Sequence, residues 1–189
     1  MSPSGAFPYS LLSQLEGVKD RSLPPVHLWH PEASRDIDMC IKQDGSWHYM
    51  GSPIERIRMV RLFASILRRD GDDYFLVTPV EKCRIVVEDV PFQGVLLENQ
   101  GTGEEQSLTI ITNTGDRVLV GEAYPIEFSK GQHSDNPHLP YVLVRQGLSA
   151  RLNRNVYYQL MELVSERLFN GALWHGVWSE NHFSQLMRV

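Results

Sequence analysis

A short turn brings three kinds of polar chemistry together. Thr78, Glu81 and Lys82 place a hydroxyl, a carboxylate and an ammonium group between two apolar segments, and Pro79 fixes the backbone inside the turn. Such a turn can orient a polar ligand. The simpler interpretation is that Glu81 and Lys82 neutralise each other, so the turn predicts candidate contacts and no reaction.

A basic helix is predicted after Gly51. Ser52 can cap it, Pro53 suits its first turn and Glu55 completes a capping box, so the helix should run to about Arg69. With helical periodicity, the apolar face is formed by Ile57, Val60, Phe63, Ala64 and Leu67. The opposite face carries the arginines Arg58, Arg61, Arg68 and Arg69.

The arginines of this helix would attract an anion, although a solvated face explains Arg58 and Arg69 as well. Arg56 is different, because it falls in the middle of the apolar face. A guanidinium group there must be paired, reach solvent at the helix end, or meet an anionic ligand. We therefore treat Arg56 and Arg61 as candidate phosphate contacts.

Catalytic and metal-binding patterns are absent from the sequence. It has no nucleophile elbow, no glycine-rich phosphate loop, and no pair at helical ligand spacing among its 7 histidines. Asp36 and Asp38 would share one face of a strand and are candidate paired carboxylates, but a solvated strand face explains them equally well. We predict no catalytic residue and no metal site, and the sequence names no cofactor.

Length and charge exclude several classes of protein. The 189 residues, 42% of them hydrophobic, suffice for a core without a metal or disulfide staple. The formal charge of −5 argues against a nucleic-acid binder. No signal peptide and no apolar run long enough to cross a bilayer are found, which predicts a cytoplasmic protein without membrane association. Cys40 and Cys83 are expected to be reduced structural thiols.

A β-hairpin over residues 37–50 is expected to position the first aromatic residues. Its apolar and polar residues alternate on either side of an Asp-Gly turn. A three-residue loop at 43–45 places Ile41 opposite Trp47 and keeps the large residues on one face. A two-residue loop would instead oppose Ile41 to His48 and mix the faces, so we predict the three-residue loop.

A second hairpin, over residues 108–120, repeats this pattern with a loop at 113–115. Its register would place four aliphatic residues on one face: Leu108, Ile110, Val118 and Val120. Each hairpin is followed by a glycine and then by a Pro-Ile pair, which indicates a duplicated unit. Two packed halves would have a groove between them, where a ligand would be sought.

The remaining segments predict further strands and a second long helix. Strands are expected at 74–77 and 84–88, and more weakly from residue 141. The helix should span 156–168, with Asn153 or Asn155 as its cap and Gly171 at its end. Strands interleaved with only two long helices predict an α+β protein with antiparallel sheets.

The two ends of the chain are expected to pack on its body. A short helix is predicted at 11–15, and the prolines of 23–31 exclude regular structure and leave an extended strap that carries Trp29. The tail, 172–189, is rich in aromatic residues and should fold back on the rest of the chain.

Several segments are similar to one bacterial family. They are the strap 23–31, Asp36-Ile37-Asp38-Met39, residues 44–54, Val60-Arg61-Leu62-Phe63, residues 66–71, residues 74–82 and Val87-Glu88-Asp89-Val90-Pro91-Phe92. On these segments the chain resembles the family called domain of unknown function 1285. The likeness covers nearly the whole chain and is most specific through residue 92.

The resemblance implies a duplicated core whose second half is similar to pleckstrin-homology-like barrels. It also implies a groove between the halves for a nucleotide-like ligand and a role in signal transduction, and it supplies no catalytic residues. We accordingly predict an N-terminal helix and strap at 1–30, a first β/α repeat domain at 31–96, and a second one at 97–189 that includes the tail.

The leading hypothesis is a ligand-binding or signalling protein. Aromatic faces and cationic groups suit a nucleotide, and the predicted ligand contacts are Trp29, Trp47, Tyr49, Arg56, Arg61, Thr78, Glu81, Lys82 and Arg145. One alternative is an enzyme acting on a phosphorylated small molecule, with Asp38 or Glu81 as the base. Another is a protein-interaction module that binds a protein partner or a second copy of the chain.

Overall fold

The computed structural model describes residues 23–131 and 138–189, and the chain divides into two compact units, Met1–Glu88 and Asp89–Val189. The described residues are mostly β, with two α-helices of nine residues each. We predicted an α+β protein with longer helices, and the shift towards β arises where strands replace the predicted helix ends. The short helix predicted at 11–15 lies outside the described residues.

The first unit is built on one six-stranded sheet with the strand order β3-β2-β1-β6-β5-β4. Its strands are β1 (Ala33–Ile41), β2 (Trp47–Tyr49), β3 (Ser52–Pro53), β4 (Leu67–Asp70), β5 (Asp73–Val77) and β6 (Glu81–Val87). The two central strands, β1 and β6, pair in parallel, and all other neighbours are antiparallel. The sheet is therefore two antiparallel three-stranded meanders joined by one parallel pair.

The register predicted for the first hairpin is confirmed. Ile41 pairs with Trp47 and Met39 with Tyr49, and the backbone of Lys42 and Ser46 closes a three-residue loop. Gly45, with φ of 80°, supplies the left-handed position that this loop requires. Met39, Ile41 and Trp47 are all buried as a result.

The helix predicted from residue 53 to residue 69 is wrong at both ends. The observed helix, α1, spans Ile57–Ser65. Ser52 and Pro53 instead form the edge strand β3, where the missing N–H of proline costs no ladder bond. At the other end Leu67 pairs with Leu76 in the sheet, so long-range pairing overrides the helical pattern of the segment.

The apolar face predicted for this helix is confirmed in its centre. Val60, Phe63 and Ala64 are buried, whereas Ile57 is 47% exposed because it lies in the first turn. Arg56 precedes the helix as its N-cap residue, exposed and outside the apolar face. The strap contains one short 3-10 turn, Val26–Leu28, although its prolines had predicted no regular structure.

The second unit repeats the same sheet. Its strands are β7 (Phe92–Gln100), β8 (Ser107–Thr112), β9 (Arg117–Leu119), β10 (Ile126–Ser129), β11 (Leu139–Arg145) and β12 (Leu148–Leu152). The strand order is β10-β11-β12-β7-β8-β9, with β12 and β7 parallel and the other neighbours antiparallel. Read from the other edge, this is the order of the first unit.

This common strand order confirms the duplication, but the alignment of the two halves differs by one strand from the one we predicted. We matched the hairpin 37–50, which forms β1 and β2, to the hairpin 108–120, which forms β8 and β9. The topology instead equates β1 and β2 with β7 and β8. The predicted register of the second hairpin is correct in itself, since Ile110 pairs with Val118 around a loop in which Gly115 has φ of 95°.

A helix and a third sheet complete the second unit. The helix α2 spans Arg154–Glu162, and its cap is Asn153, whose Oδ1 accepts from the N–H of Val156 at 2.9 Å. We predicted that this helix continues to 168, but residues Ser165–Phe169 form β13. This strand pairs with β14 (Ala172–Ser179), which pairs with β15 (His182–Arg188).

The predicted docking of the tail on the body is confirmed. The hydroxyl of Ser179 donates to the carbonyl of Val120 at 2.6 Å and accepts from the N–H of Leu108 at 2.9 Å. The amide of Gln106 donates to the carbonyl of Trp178 at 2.8 Å. The third sheet is thus bonded to the second unit through buried polar groups. Within the described ranges, no helix is long and apolar enough to cross a membrane.

Candidate functional site

Two surface cavities of the first unit contain residues predicted as ligand contacts. The first, which we call the helix pocket, has a volume of about 310 Å³ and is lined by Tyr49, Ser52, Pro53, Ile54, Glu55, Arg56 and Met59. The second, the strap cleft, has a volume of about 420 Å³ and is lined by His27, His30, Pro31, Arg68, Asp70 and Lys82. Both volumes are in the range of small-molecule sites.

The helix pocket arises where the chain leaves β2 and enters α1. After Tyr49 the backbone reverses and β3 pairs back onto β2, and the N–H of Ile54 then donates to the carbonyl of Trp47 at 2.7 Å. Residues 54–56 lead directly into the helix, whose Met59 faces the same cavity. The edge strand that replaced the predicted helix start therefore forms this pocket.

Apolar walls and one cation give the helix pocket its chemistry. The half-buried Tyr49 lies among Pro53, Ile54 and Met59, and Arg56 and Glu55 are exposed at its rim. Within the part of the chain that the structure describes, the Arg56 guanidinium makes no hydrogen bond or ion pair. It therefore retains all its N–H donors for an anion.

Arg68 is the most extensively hydrogen-bonded of the side chains that line the strap cleft. Its Nε and Nη2 donate to the two carboxylate oxygens of Asp70, each at 2.8 Å. Its Nη1 donates to the carbonyls of Val26 and Trp29 at 2.9 and 2.7 Å, so the guanidinium ties the strap to β4. Arg68 is thus a structural residue whose charge is balanced by Asp70.

Lys82 is the second cation of the strap cleft, and its environment differs from that of Arg68. Its Nζ lies 3.8 Å from Asp70 Oδ2 and 4.6 Å from the centre of the Phe75 ring. Among the residues that the structure describes, Nζ donates no hydrogen bond. With 29% of its side chain exposed, the ammonium group is accessible to a ligand in the cleft.

The turn at 78–82 is structural in its first half. Thr78 is buried, and its hydroxyl accepts from the N–H groups of Val80 and Glu81 and donates to the Glu81 carbonyl at 3.0 Å. The simpler sequence interpretation, that Glu81 and Lys82 neutralise each other, is wrong. Neighbours on a strand point to opposite faces, and Glu81 binds Arg35 at 2.8 Å.

Two predicted aromatic contacts, Trp47 and Trp29, differ in their exposure to solvent. Trp47 is 1% exposed and stacks on Phe63 with ring centres 6.2 Å apart, so it belongs to the core of the first unit. Trp29 is half-buried on the strap, where its carbonyl accepts from Arg68. Arg61 is exposed on α1 and lines neither cavity.

Arg145, the last predicted contact, belongs to the second unit. It pairs with Asp116 and lies over the Phe92 ring, 5.0 Å from its centre. Burial lowers the pKa of the Arg145 guanidinium, and Asp116 opposes this effect. Asp116 also accepts hydrogen bonds from Thr112 and Thr114, so the group closes the turn between β8 and β9.

Four polar residues of the strap cleft were not among the predicted ligand contacts. His27 and His30 lie on the proline-rich strap, where only their position beside Trp29 could have drawn attention to them. Arg68 and Asp70 were assigned to a helix end, which concealed their position on a strand. Only the pairing of β4 with β5 reveals which way their side chains point.

Other candidate groups have structural partners. Asp36 binds Arg84 at 2.9 Å, which lowers the pKa of the Asp36 carboxyl. Burial raises the pKa of the Cys83 thiol to about 11, and burial also raises that of Cys40. Three or more His, Cys, Asp or Glu side chains positioned for a metal ion are not found in 23–131 or 138–189.

Comparisons with known proteins agree on one family. The model of the N-terminal domain of a domain of unknown function, DUF1285, matches residues 24–90, and that of the DUF1285 C-terminal domain matches residues 91–186. The crystal structure of a DUF1285 family protein from Silicibacter pomeroyi DSS-3 is similar to this chain, with 45% identity, a TM-score of 0.83 and 95% of each chain covered.

A DUF1285 family protein from Shewanella baltica OS155 is similar at 30% identity and a TM-score of 0.51, covering 67% of this chain and 91% of that one. No match was found among curated proteins. Both family models together span nearly all of the described residues, in agreement with the resemblance noted in the sequence. The chain therefore belongs to the DUF1285 family.

Proposed function

We propose that this protein binds a nucleotide-like small ligand in the helix pocket and acts in signal transduction. One observation carries the proposal: Tyr49 and Arg56, predicted separately as an aromatic and a phosphate contact, line the same cavity of about 310 Å³. A groove between the two halves, expected from the sequence, remains a prediction.

The apolar part of the helix pocket suits a flat ring. Tyr49 offers an aromatic face, and Pro53, Ile54 and Met59 complete an apolar surface around it. Aromatic stacking and thioether contacts each favour a planar heterocycle without selecting one base. The base of a nucleotide is therefore proposed to enter here.

The polar rim suits the remainder of a nucleotide. The planar guanidinium of Arg56 can donate two parallel hydrogen bonds to phosphate oxygens. The exposed carboxylate of Glu55 can accept from sugar hydroxyls. Its negative charge disfavours a highly charged phosphate chain beside Arg56, so we expect monophosphates and cyclic monophosphates to bind better than triphosphates.

We further propose that the second unit is pleckstrin-homology-like and transmits the signal to a partner. A six-stranded sheet whose last strand is followed by the helix α2 supports this assignment. The enzyme hypothesis remains a prediction. It requires a base beside the anion, and one of its two candidates, Glu81, is bonded to Arg35.

Thermal unfolding against a panel of mono-, di-, tri- and cyclic nucleotides tests the proposal. A ligand at a hundred times its dissociation constant adds about 2.7 kcal/mol, or roughly 5 to 10 °C for a chain of this size. We expect Arg56→Ala to abolish the shift and Arg58→Ala, an exposed arginine outside the pocket, to retain it. A panel without any shift, or equal shifts in the two variants, would reject the helix pocket.

A second candidate function is self-association through the third sheet. Strand pairing places four exposed apolar side chains on one face of this sheet: Leu168, Leu173, Met187 and Val189. Leu168 is 70% exposed. Two polar residues paired on that face, Glu166 and His175, bond to each other at 3.0 Å. A second copy of the chain could therefore cover the face without repulsion between unpaired like charges.

Light scattering after size exclusion tests this candidate. We expect a dimer that Leu168→Lys dissociates, whereas Leu119→Lys, at an exposed position on β9, leaves it intact. A monomer at concentrations above about 100 μM would remove self-association as a function, because a dimer that weak is held by less than about 6 kcal/mol.

A further inference from the structure

We infer that the strap cleft is a second, separate ligand site that binds a phosphate group through Lys82 and His30. The inference does not depend on the nucleotide site, because the strap cleft and the helix pocket share no lining residue. The ligand chemistry is that of a dianionic phosphate, free or as a monoester.

Charge is the first reason. The strap cleft contains two permanent cations, Arg68 and Lys82, and one carboxylate, Asp70. Both oxygens of that carboxylate are bonded by Arg68, so the positive charge of Lys82 is left in excess. A net cationic cleft on a chain with a formal charge of −5 is a local departure that favours an anion.

The second reason is the hydrogen-bonding state of Lys82. The ammonium group of Lys42, another lysine of the first unit, donates to Glu88 at 2.7 Å, whereas Nζ of Lys82 lies 3.8 Å from Asp70 Oδ2. A cation–π contact with the Phe75 ring, whose centre lies 4.6 Å from Nζ, holds Lys82 in place. The ammonium group of Lys82 is thus held in position but donates no hydrogen bond to the residues that the structure describes. A phosphate oxygen could accept one from it.

The strap supplies a hydrogen-bond donor to the same cleft. His30 is exposed at the cleft, and its imidazole carries an N–H to donate whether or not the ring is protonated. His30 immediately precedes Pro31, which restricts its backbone. Arg68 fixes the strap itself, so the strap is preorganised with respect to β4.

The size of the cleft favours a phosphate that carries an organic group. A volume of about 420 Å³ exceeds what a single phosphate ion fills, and Pro31 and two histidines are among the lining residues. A small phosphate monoester would bring its phosphate to Lys82 and its organic part to these residues. Inorganic phosphate would occupy only the Lys82 end.

Isothermal titration of the full chain with inorganic phosphate and with glycerol 3-phosphate tests the inference, at constant ionic strength set with chloride. Glycerol serves as the uncharged control and sulfate as the competing oxyanion. We expect the wild type to bind both phosphates. Lys82→Met should weaken the affinity for each at least tenfold, whereas Lys42→Met should bind both as the wild type does. Arg56→Ala should also retain phosphate binding, which separates this site from the helix pocket.

Several outcomes would overturn the inference. They are no heat from either phosphate, equal loss in Lys82→Met and Lys42→Met, and full retention in Lys82→Met. Circular dichroism of Lys82→Met checks that the fold persists, and His30→Ala provides a second variant on the strap. Tighter binding of the ester than of inorganic phosphate would support the site and assign the remaining volume to the organic group.

Discussion

The two units of this chain have the same strand order but use their polar side chains differently. In the second unit, Asp89 is buried, accepts from the Tyr141 hydroxyl at 3.0 and 3.1 Å, and pairs with Arg151 at 3.0 Å. In the first unit, Lys82 and Arg56 face cavities without a hydrogen-bonded protein partner among the described residues. The shared sheet is therefore a scaffold, and the two cations that face cavities distinguish the first unit.

The positions of the helices explain this difference. In the first unit α1 lies between the third and fourth strands of the chain order, and the turn into it creates the helix pocket. In the second unit α2 follows the sixth strand and packs on β7. The third sheet then adds buried bonds around Ser179. The second unit, which has more attached elements, holds the Ser179 and Tyr141 hydroxyls in buried hydrogen bonds.

The largest expected difference between the units concerns their Arg–Asp pairs. Asp89→Ala should lower the free energy of unfolding by about 3 to 5 kcal/mol, because it removes the buried carboxylate that binds both the Tyr141 hydroxyl and Arg151. The first-unit control, Asp70→Ala, should cost about 1 kcal/mol, since its carboxylate is 37% exposed. Urea denaturation measures both. Similar losses would contradict the contrast between the units.

Alkaline pH sharpens the same contrast. Burial, with the nearby Asp89 charge, raises the pKa of Tyr141 from 10.0 to about 12. The neutral phenol is favoured in the folded state, so its contribution is complete below pH 10 and is lost as the pH rises through 12. The loss should approach about 2 to 3 kcal/mol.

The difference in stability between wild type and Tyr141→Phe, followed by urea denaturation from pH 9 to pH 12, isolates this effect. Cys83 contributes in the same direction between its ordinary value of 9.0 and about 11, and it cancels because both proteins contain it. A constant difference across this range would show that Tyr141 does not titrate as proposed.

The third sheet, which occurs in the second unit, is expected to tolerate no added atom at Gly176. A Cβ there would clash with the Ser184 carbonyl oxygen and lie 2.5 Å from the Phe183 ring. Gly176→Ala should therefore cost about 1 to 3 kcal/mol. Gly121→Ala is the matched control, since its nearest neighbour, Glu180 Cβ, is at 3.7 Å. Equal melting temperatures for the two variants would mean that the sheet is loosely attached.

The smallest expected effect separates the two helices. Asn153 caps α2 with its side chain, whereas Arg56, at the equivalent position of α1, makes no such bond. Asn153→Ala should cost about 1 kcal/mol and Arg56→Ala less than about 0.5 kcal/mol. Thermal unfolding without ligand provides the measurement. A loss of stability in Arg56→Ala as large as that in Asn153→Ala would give Arg56 a structural role in place of ligand binding.

Local chemistry made part of this structure predictable from the sequence. Both hairpin registers follow from loop length and alternation, because one wrong step would turn Trp47 or Ile110 to the opposite face. The cap at Asn153 follows from a side chain that bonds within its own turn. The candidate site was predicted only as a set of residue types, of which Tyr49, Arg56 and Lys82 line cavities.

The sequence by itself determined the interactions that close within a few residues: turns, caps and the alternation of the strands. Tertiary structure decided the rest. It ended α1 at Ser65 because Leu67 pairs with Leu76, and it made Ser165–Phe169 a strand because β14 lies beside it. It also decided that Arg68 is satisfied and Lys82 is not, since the strap carbonyls that bind Arg68 are contributed by residues about 40 positions earlier. Such partners leave no local pattern, because their energy appears only when distant segments meet.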